Sequence, residues 1–492
     1  MRLYIDSFYK TFWGVRNITR IKALTDILIL FFVDLASVIF AFELSVLIRT
    51  NVLPLIYPYF PQELPFTKFG MLWIFLIWLF FFYYEDLYTK TFSYWDEIKN
   101  LWRVSFFSTT AILAIVSIGK LSNEVSRTII LLMGFLSLLL FPFLRMSAKK
   151  FLRKRGLLGR KVLILGAGKT GALILRALKK EPNYGYEVVG FLDDDPEKIG
   201  STIDGVKVHR GVDKASTYLQ RCVVTDVFIA MPGAGKEKLQ ELINSLQHKV
   251  ERVLFVPDMF GVAVLGTTLK HFFHEEAFAF ELNNNLAQSF NIVIKKSFDV
   301  LLCLLLLPIL FFPMLVIVLM IRIDSKGPAI FSQERIGKNG RLFRCFKFRT
   351  MHLDSEEQLE DLLKKDPESR EEWHQYWKLK NDPRVTIMGR FLRATSLDEL
   401  PQIVNVLRGE MTIVGPRPYL PKEKEYIGAH AETILLAKPG ITGLWQVSGR
   451  SNTSYEYRVN LDAWYVRNWN IWLDIVLLLK TLRVVIKREG AF

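Results

Sequence analysis

The sequence predicts a membrane α-helical bundle, then a cytoplasmic Rossmann-like α/β domain, then a C-terminal domain carrying its own re-entrant membrane helix. Three observations carry this. Apolar residues, 51% of the 492, concentrate in the first 150 positions and again around 298–321. A glycine-rich turn directly follows an apolar run at 161–171, and from 327 onward the chain is dense in short polar segments with recurring arginine. The parts are expected at 1–150, 151–289 and 290–492, and a chain of this length has room for two or three domains.

The bundle rests on apolar stretches at about 24–48, 68–84, 104–119 and 128–144. A hydrocarbon core needs roughly 20 helical residues, so the first is long enough alone and the others use their aromatic flanks. Trp73, Trp78, Tyr83, Tyr84 and Tyr88 are suited to the membrane interface. The alternative, a buried helical bundle, is disfavoured because these runs have no polar face to offer water. Arg16, Arg20 and Lys22 precede the first span; Arg145, Lys149, Lys150, Arg153, Lys154, Arg155, Arg160 and Lys161 follow the fourth. Both ends of the bundle are therefore expected on the cytoplasmic side. The first apolar run is too long for a cleavable signal peptide and has no small-residue cleavage site.

In the second part, Lys161-Val-Leu-Ile-Leu-Gly-Ala-Gly-Lys-Thr-Gly171 reads as strand, glycine turn and helix, with Gly166, Gly168 and Gly171 in a GxGxxG pattern. Such glycines let backbone approach a pyrophosphate at a helix N-terminus. Further strands are expected at 187–192, 224–230 and 252–256, and Asp193 or Asp194 stands where a ribose would be held. No Tyr-x-x-x-Lys pair lies here, so short-chain-dehydrogenase chemistry has no visible base. Two readings stay open: a regulatory site for a nucleotide or nucleotide-sugar, or a degenerate fold used for dimer contacts.

Residues 298–321 are long enough to span a membrane, yet Lys295 and Lys296 precede them and Arg322 and Lys326 follow. Pro308 lies near the centre, where it removes one backbone hydrogen bond and crowds the preceding turn. A kinked transmembrane helix is one reading. A hairpin that breaks at Pro308 and returns to the same face explains the basic residues at both ends, and is preferred.

The formal net charge of +15 sits largely beside apolar segments, which favours anionic lipid headgroups. No basic helix carries base-reading residues, so nucleic acid is not the expected partner. Cys222, Cys303 and Cys345 have neither paired nor metal-like spacing, in keeping with a reducing compartment.

The last part repeats Arg335, Lys338, Lys347, Arg349, Arg384, Arg390, Arg393, Arg417 and Arg450 between glycines and prolines. Guanidinium groups on tight loops suit phosphate or diphosphate. Among these cations stands the acidic pair Asp398-Glu399. Ser396-Leu-Asp-Glu399 reads as a capping box, with Pro401 in the first turn of the helix that follows. The cap and a chemical role are compatible: a rigid, ionised carboxylate near arginines is what nucleophilic attack on phosphorus needs. Its neighbour Glu399 suits a divalent metal across a diphosphate. Residues 353–380 read as a charged amphipathic helix, and 469–488 as a helix lying in the membrane interface.

Residues 290–492 resemble the bacterial sugar transferase family, the monotopic phosphoglycosyl transferases. The matching segments are Lys295–Asp299 before the proline-broken hairpin, Phe346-Lys-Phe-Arg-Thr-Met351, Ser396-Leu-Asp-Glu-Leu-Pro-Gln402, Val414-Gly-Pro-Arg-Pro418 and Pro439-Gly-Ile-Thr-Gly443. With the spans and central domain, the whole chain is similar to the long form of that family. The resemblance implies transfer of a hexose-1-phosphate, galactose-1-phosphate favoured over glucose-1-phosphate, from a UDP-sugar to undecaprenyl phosphate. Asp398 would be the nucleophile and Glu399 the partner of Mg²⁺. Lys347, Arg349 and Arg393 would surround the phosphates, with Arg384, Arg417 and Arg450 as further substrate contacts. A homodimer in the bacterial inner membrane is expected, with both polar domains on the cytoplasmic side. Two rival readings remain: a nucleotide-sugar oxidoreductase or dehydratase acting through the glycine-rich domain, and a non-enzymatic scaffold for polysaccharide assembly.

Overall fold

A computed structural model describes residues 2–58, 72–121, 125–222, 224–258, 268–272, 277–281, 285–286, 288–366, 370–371, 382–448 and 454–487. The chain divides into two compact units, Met1–Phe260 and Gly261–Phe492.

Apolar helices open the first unit. Arg2–Leu47 runs on through a π-helical turn, Ile48–Val52, into Leu53–Ile56. Ile21–Ile56, Tyr94–Ile118 and Arg127–Lys154 are each long and apolar enough to cross a membrane, while Leu72–Tyr84 is apolar over 13 residues. The described parts of the four stretches expected from sequence lie in these helices, except Gly119, which follows the end of Tyr94–Ile118. Facing one another, they bury Val38, Trp78, Phe82, Leu101 and Phe141, with the Trp78 and Phe141 rings edge-on at 5.2 Å. Their outer faces expose Phe32, Leu76, Phe135 and Phe143, an exterior that fits lipid.

Inside this apolar bundle lies a buried ion network. Arg145 pairs with Asp34 and, through Nε, with Glu97 at 2.7 Å, and donates to the Leu87 carbonyl at 2.6 Å. The Lys149 ammonium also donates to Glu97, and the Asn183 amide donates to the other Glu97 oxygen at 2.6 Å. By sequence Arg145 and Lys149 stand among the basic residues after the fourth span that mark the cytoplasmic side. The structure buries both against carboxylates, since charges inside an apolar bundle are tolerated only when paired.

Asn183 belongs to the α/β domain, which the same unit holds against the bundle; Lys22 donates to the Gly159 carbonyl and Arg252 to that of Thr89. The sheet runs β3–β4–β2–β1–β5–β6, with β1 Arg160–Leu165, β2 Tyr186–Asp193, β3 Thr202–Ile203, β4 Val206–Arg210, β5 Asp226–Ile229 and β6 Arg252–Phe255. All neighbours pair parallel except β3 with β4. Helix Lys169–Lys180 crosses from β1 to β2, as the glycine turn predicts. Gly166 has φ +100°, and a Cβ there would meet the Ala230 carbonyl at 2.7 Å; one on Gly171 would meet the Gly166 carbonyl at 2.1 Å. Both are needed for the turn itself, whereas Gly168 faces open space.

The second unit begins with an antiparallel pair, β7 Thr268–Phe272 and β8 Ala277–Glu281. Helix Ser289–Asp324 follows, 36 residues of unbroken helix through Pro308 and Pro313. The helical backbone therefore does not end at Pro308, unlike the break expected from sequence. Its middle is exposed and apolar (Leu304, Ile309, Phe311, Phe312), while both ends dock on the unit's core. Lys295 donates to the Val414 carbonyl and to Asp474; at the other end Asp324 accepts from the Met388 amide. The core beneath comprises the hairpin β9 Ile330–Ile336 and β10 Leu342–Phe348, the parallel pair β11 Thr412–Val414 and β12 Gly440–Thr442, and helices Tyr455–Arg467 and Ile471–Lys487. Within 353–380, the described helix is Ser355–Lys365.

Glu97→Ala leaves Arg145, Lys149 and Asn183 facing no carboxylate on that side. The expected cost is about 3–5 kcal/mol, read as a lower thermal unfolding midpoint of the detergent-solubilised protein. Lys90→Ala at the exposed Lys90–Asp86 pair serves as the control and should change little.

Candidate active site

Three chain segments converge on the acidic pair. The first is β10, which carries Lys347 near its end. The second is helix Ile387–Thr395, started by the Thr386 hydroxyl accepting from the Gly389 amide at 2.9 Å and carrying Arg393 in its last turn. A Cβ on Gly389 would sit 2.0 Å from the Thr350 carbonyl, so glycine lets this helix lie directly on the chain that follows β10. The third is a tight 3₁₀ turn, Leu397–Glu399, running through Pro401 into helix Gln402–Leu407.

Ser396 does not head a capping box. It adopts φ +56°, the left-handed conformation that ends the preceding helix, and its amide bonds the Arg393 carbonyl. A helix ending and another starting within four residues leaves room for a reversal, and the left-handed residue supplies it.

The Lys347 ammonium donates to Glu399 at 2.6 Å and lies 3.7 Å from Asp398. Side-chain exposure is 14% for Asp398, 28% for Glu399 and 30% for Lys347, so the nucleophile candidate is the most enclosed of the three. Burial pushes the Asp398 carboxyl above its ordinary value; Lys347 and Arg393 oppose this, and Glu399 adds to it. Burial acts to lower the Lys347 ammonium, but Glu399 and Asp398 outweigh it and hold it high. Burial lowers the Arg393 guanidinium against the attraction of Asp398 and Asp382; its Nε donates to the Thr350 hydroxyl at 3.0 Å. Lys347, Arg393, Asp398 and Glu399 are thus brought together.

The other arginines are placed differently. Arg349 clamps the chain after the long helix, donating to the Lys326 and Ser325 carbonyls at 2.7 and 2.8 Å. These bonds close the chain reversal after the helix, where part-buried carbonyls need donors. Arg384 is buried and held by both oxygens of Asp382, at 2.8 and 2.7 Å, so its charge is matched before any substrate arrives. Arg417 lies 3.7 Å from Glu423 and 5.5 Å from the centre of the Trp445 ring, with Arg458 at the same distance from that ring. Arg335 joins them: burial and Arg417 lower it, while Cys345, Glu423 and Glu399 pull the other way. Arg450 lies outside the described residues. Sequence reasoning missed Asp382, Thr350 and Arg458; the Asp382-Pro-Arg384 spacing was the available sign for the first.

Under the Val414–Pro418 loop, Asp462 is fully buried and accepts from the Arg417 amide at 3.0 Å and the Tyr419 hydroxyl at 2.7 Å. Desolvation pushes its carboxyl up to about 7.

In the first unit, both oxygens of Asp193 accept from backbone amides. One oxygen accepts from the Ala167 amide at 2.7 Å and the other from the Asp195 amide at 2.9 Å. The residue closes the glycine turn on its own backbone. Asp194 accepts from the Val212 amide and pairs with Lys238.

Among the described residues no group of three or more His, Cys, Asp or Glu is clustered for a metal. The adjacent carboxylates of Asp398 and Glu399 fit a hard divalent cation that takes its remaining oxygens from phosphate and water.

Residues 290–488 match the sequence model described as bacterial sugar transferase, and 72–257 match one described as a CoA-binding domain. The UDP-galactose-lipid carrier transferase of Erwinia amylovora is 38% identical over 408 residues, 82% of this chain and 84% of that protein. The chain belongs to the bacterial sugar transferase family. It is an enzyme, a phosphoglycosyl transferase. The transferase is also 37% identical to the undecaprenyl-phosphate galactose phosphotransferase of Salmonella typhimurium over 406 residues, covering 82% of this chain and 84% of that one. A third relative, the UDP-glucose:undecaprenyl-phosphate glucose-1-phosphate transferase of Klebsiella pneumoniae, is 30% identical over 351 residues, 69% of this chain and 70% of that one.

The raised Asp462 carboxyl sets a stability trend. The folded protein holds this proton more tightly than the unfolded chain does. Its contribution is complete below the ordinary aspartate range and is lost as pH rises through about 7. Asp462→Asn carries no such titration. The thermal midpoint of the Asn variant should match wild type near about pH 4 and exceed it increasingly toward about pH 8.

Proposed function

We propose that this transferase moves a hexose-1-phosphate, galactose-1-phosphate in the first instance, from a UDP-sugar to undecaprenyl phosphate and releases UMP. The observation that carries this reading is the half-enclosed Asp398–Glu399 pair held by Lys347 beside Arg393. A carboxylate kept ionised by an ammonium and a guanidinium is a nucleophile for phosphorus, and the same cations stabilise the charge that develops on phosphate oxygens. The galactose preference is supported by the two galactose-named relatives, which align over more of the chain and at higher identity than the glucose-named one.

In the first step an Asp398 oxygen bonds the β-phosphorus. The bond from that phosphorus to the bridging oxygen breaks, and its electron pair leaves with UMP. In the second step an oxygen of undecaprenyl phosphate bonds the same phosphorus, and the Asp398 carboxylate departs with its electrons. The product is a lipid-linked sugar diphosphate, the first membrane intermediate of an O-antigen, capsule or exopolysaccharide. Mg²⁺, bound through Glu399 and the substrate diphosphate, would neutralise phosphate charge. Arg393 faces the nucleophile, and Arg335, Arg417 and Arg458 supply positive charge for the second phosphate of the donor. Asp382 already matches Arg384, and Arg349 acts through the scaffold.

The long helix Ser289–Asp324 is read as re-entrant, with the active site on the cytoplasmic face of the bacterial inner membrane. Support comes from Lys295 and Asp324 near its two ends, which both dock on the same compact unit, whereas a straight helix would separate them by about 44 Å. Pro308 and Pro313 are the positions where bending costs least. The α/β domain is read as regulatory or as part of a homodimer.

With undecaprenyl phosphate and Mg²⁺, the purified enzyme should release UMP from UDP-galactose faster than from UDP-glucose. Asp398→Asn should lose about 10³-fold or more; retained activity sinks the nucleophile assignment. Because Asp398 must be ionised and its carboxyl is raised, the rate should fall as pH drops through that raised value, and Lys347→Met should move this limb to higher pH. A cysteine at Lys326 should react with impermeant maleimide only from the cytoplasmic side; periplasmic labelling sinks the hairpin.

A further inference from the structure

We propose that Asn405 is a positioning residue of the transfer reaction, its carboxamide serving as the missing neighbour on the free edge of β10 and so setting Lys347 against the acidic pair. This deepens the reading of Asp398 as nucleophile and rests on it.

Asn405 lies on helix Gln402–Leu407, six residues after Glu399, and is fully buried. β10 pairs along one edge with β9. On the other edge, the Asn405 Oδ1 accepts from the Phe346 amide at 3.0 Å and its Nδ2 donates to the Arg344 carbonyl at 2.8 Å. These are the two groups a further strand would bond. The second Nδ2 proton goes to Glu410 at 2.6 Å, which fixes the orientation of the amide.

The geometry closes a ring. Phe346 is followed directly by Lys347, whose ammonium reaches Glu399. From Glu399 the chain returns to Asn405 through consecutive turns: the Leu400, Ile403 and Val404 amides bond the Leu397, Leu400 and Pro401 carbonyls. One side of the ring is thus a bonded strand and the other a bonded helical run, and Asn405 is the joint between them. Only an amide fits this joint, because it must accept once and donate twice. A carboxylate there would face the Arg344 carbonyl and the Glu410 carboxylate.

A loosened joint slows transfer without weakening donor binding, a split that lost packing does not produce. For UMP release by the full-length enzyme, Asn405→Asp should lower kcat about tenfold with the donor KM within about twofold. Glu410→Ala removes one anchor of the amide while keeping Asn405, and should lower kcat by less, again with KM held. Glu410→Gln keeps an acceptor oxygen for the Asn405 Nδ2 and should restore kcat. If Asn405→Asp does not fold, the two Glu410 variants decide alone. An unchanged kcat in the variants that fold, or a loss that follows the unfolding midpoint and is not restored by Glu410→Gln, overturns the proposal while the nucleophile reading stands. Full activity of Asp398→Asn overturns both.

Discussion

Two carboxylates on consecutive residues repel each other, and this unit holds Asp398 and Glu399 side by side by laying one ammonium against both. The arrangement around the site follows from that requirement. β10 must be fixed relative to the 3₁₀ turn, so its outer edge is paired by β9 and its inner edge by a side chain. Helix Ile387–Thr395 must lie close enough for Arg393 to act on Asp398, and Gly389 permits that approach because any Cβ would strike the Thr350 carbonyl. Moving any of these three segments away weakens the field on Asp398 and leaves burial less opposed in pushing its carboxyl up.

The parts of the fold that depend on composition along the chain were legible in the sequence. The spans are visible because apolar length is a one-dimensional property. The glycine turn is visible because Gly166 and Gly171 answer steric demands made within a few residues. The acidic pair was legible as a feature, and its neighbour Lys347 through family resemblance. Partner choice was not. Arg349, Arg384 and Arg393 look alike as letters, yet one holds carbonyls, one is matched by Asp382 and one faces Asp398. Ser396 reads as an N-cap because Ser-x-x-Glu fits that pattern, but the helix before it needed a left-handed end at that residue. Arg145 and Lys149 read as cations flanking the fourth span because Asp34 and Glu97, their partners, lie 111 and 52 positions away.

The buried pairs also divide the cations into two electrostatic classes. Those held closely by a carboxylate, such as Arg384 by both oxygens of Asp382, add little field at a distance, because the opposite charges nearly cancel beyond a few ångströms. Arg335, Arg417 and Arg458 share the influence of Glu423, so their combined charge stays positive. The second group therefore carries more unmatched positive charge than the first, although the first contains equally good donors. Counting arginines overstates the size of an anion site; subtracting the buried carboxylates restores it.

The same bookkeeping of partners links the chemistry to the membrane segment. Asp299 on the long helix accepts from the Thr412 hydroxyl and the Ile413 amide, and Lys295 one turn earlier donates to the Val414 carbonyl. Asp474 and the Tyr465 hydroxyl complete this buried set. Val414 leads directly into Gly-Pro-Arg417, whose amide Asp462 holds from below. The loop that presents Arg417 is thus pinned from one side by the apolar helix and from the other by a buried carboxylate. Its distance from that helix is set by hydrogen bonds in a water-poor core, where each unmade bond is costly. The unit thus builds its Arg417 loop directly onto its most apolar helix, so that a displacement of the helix ends carries the guanidinium with it.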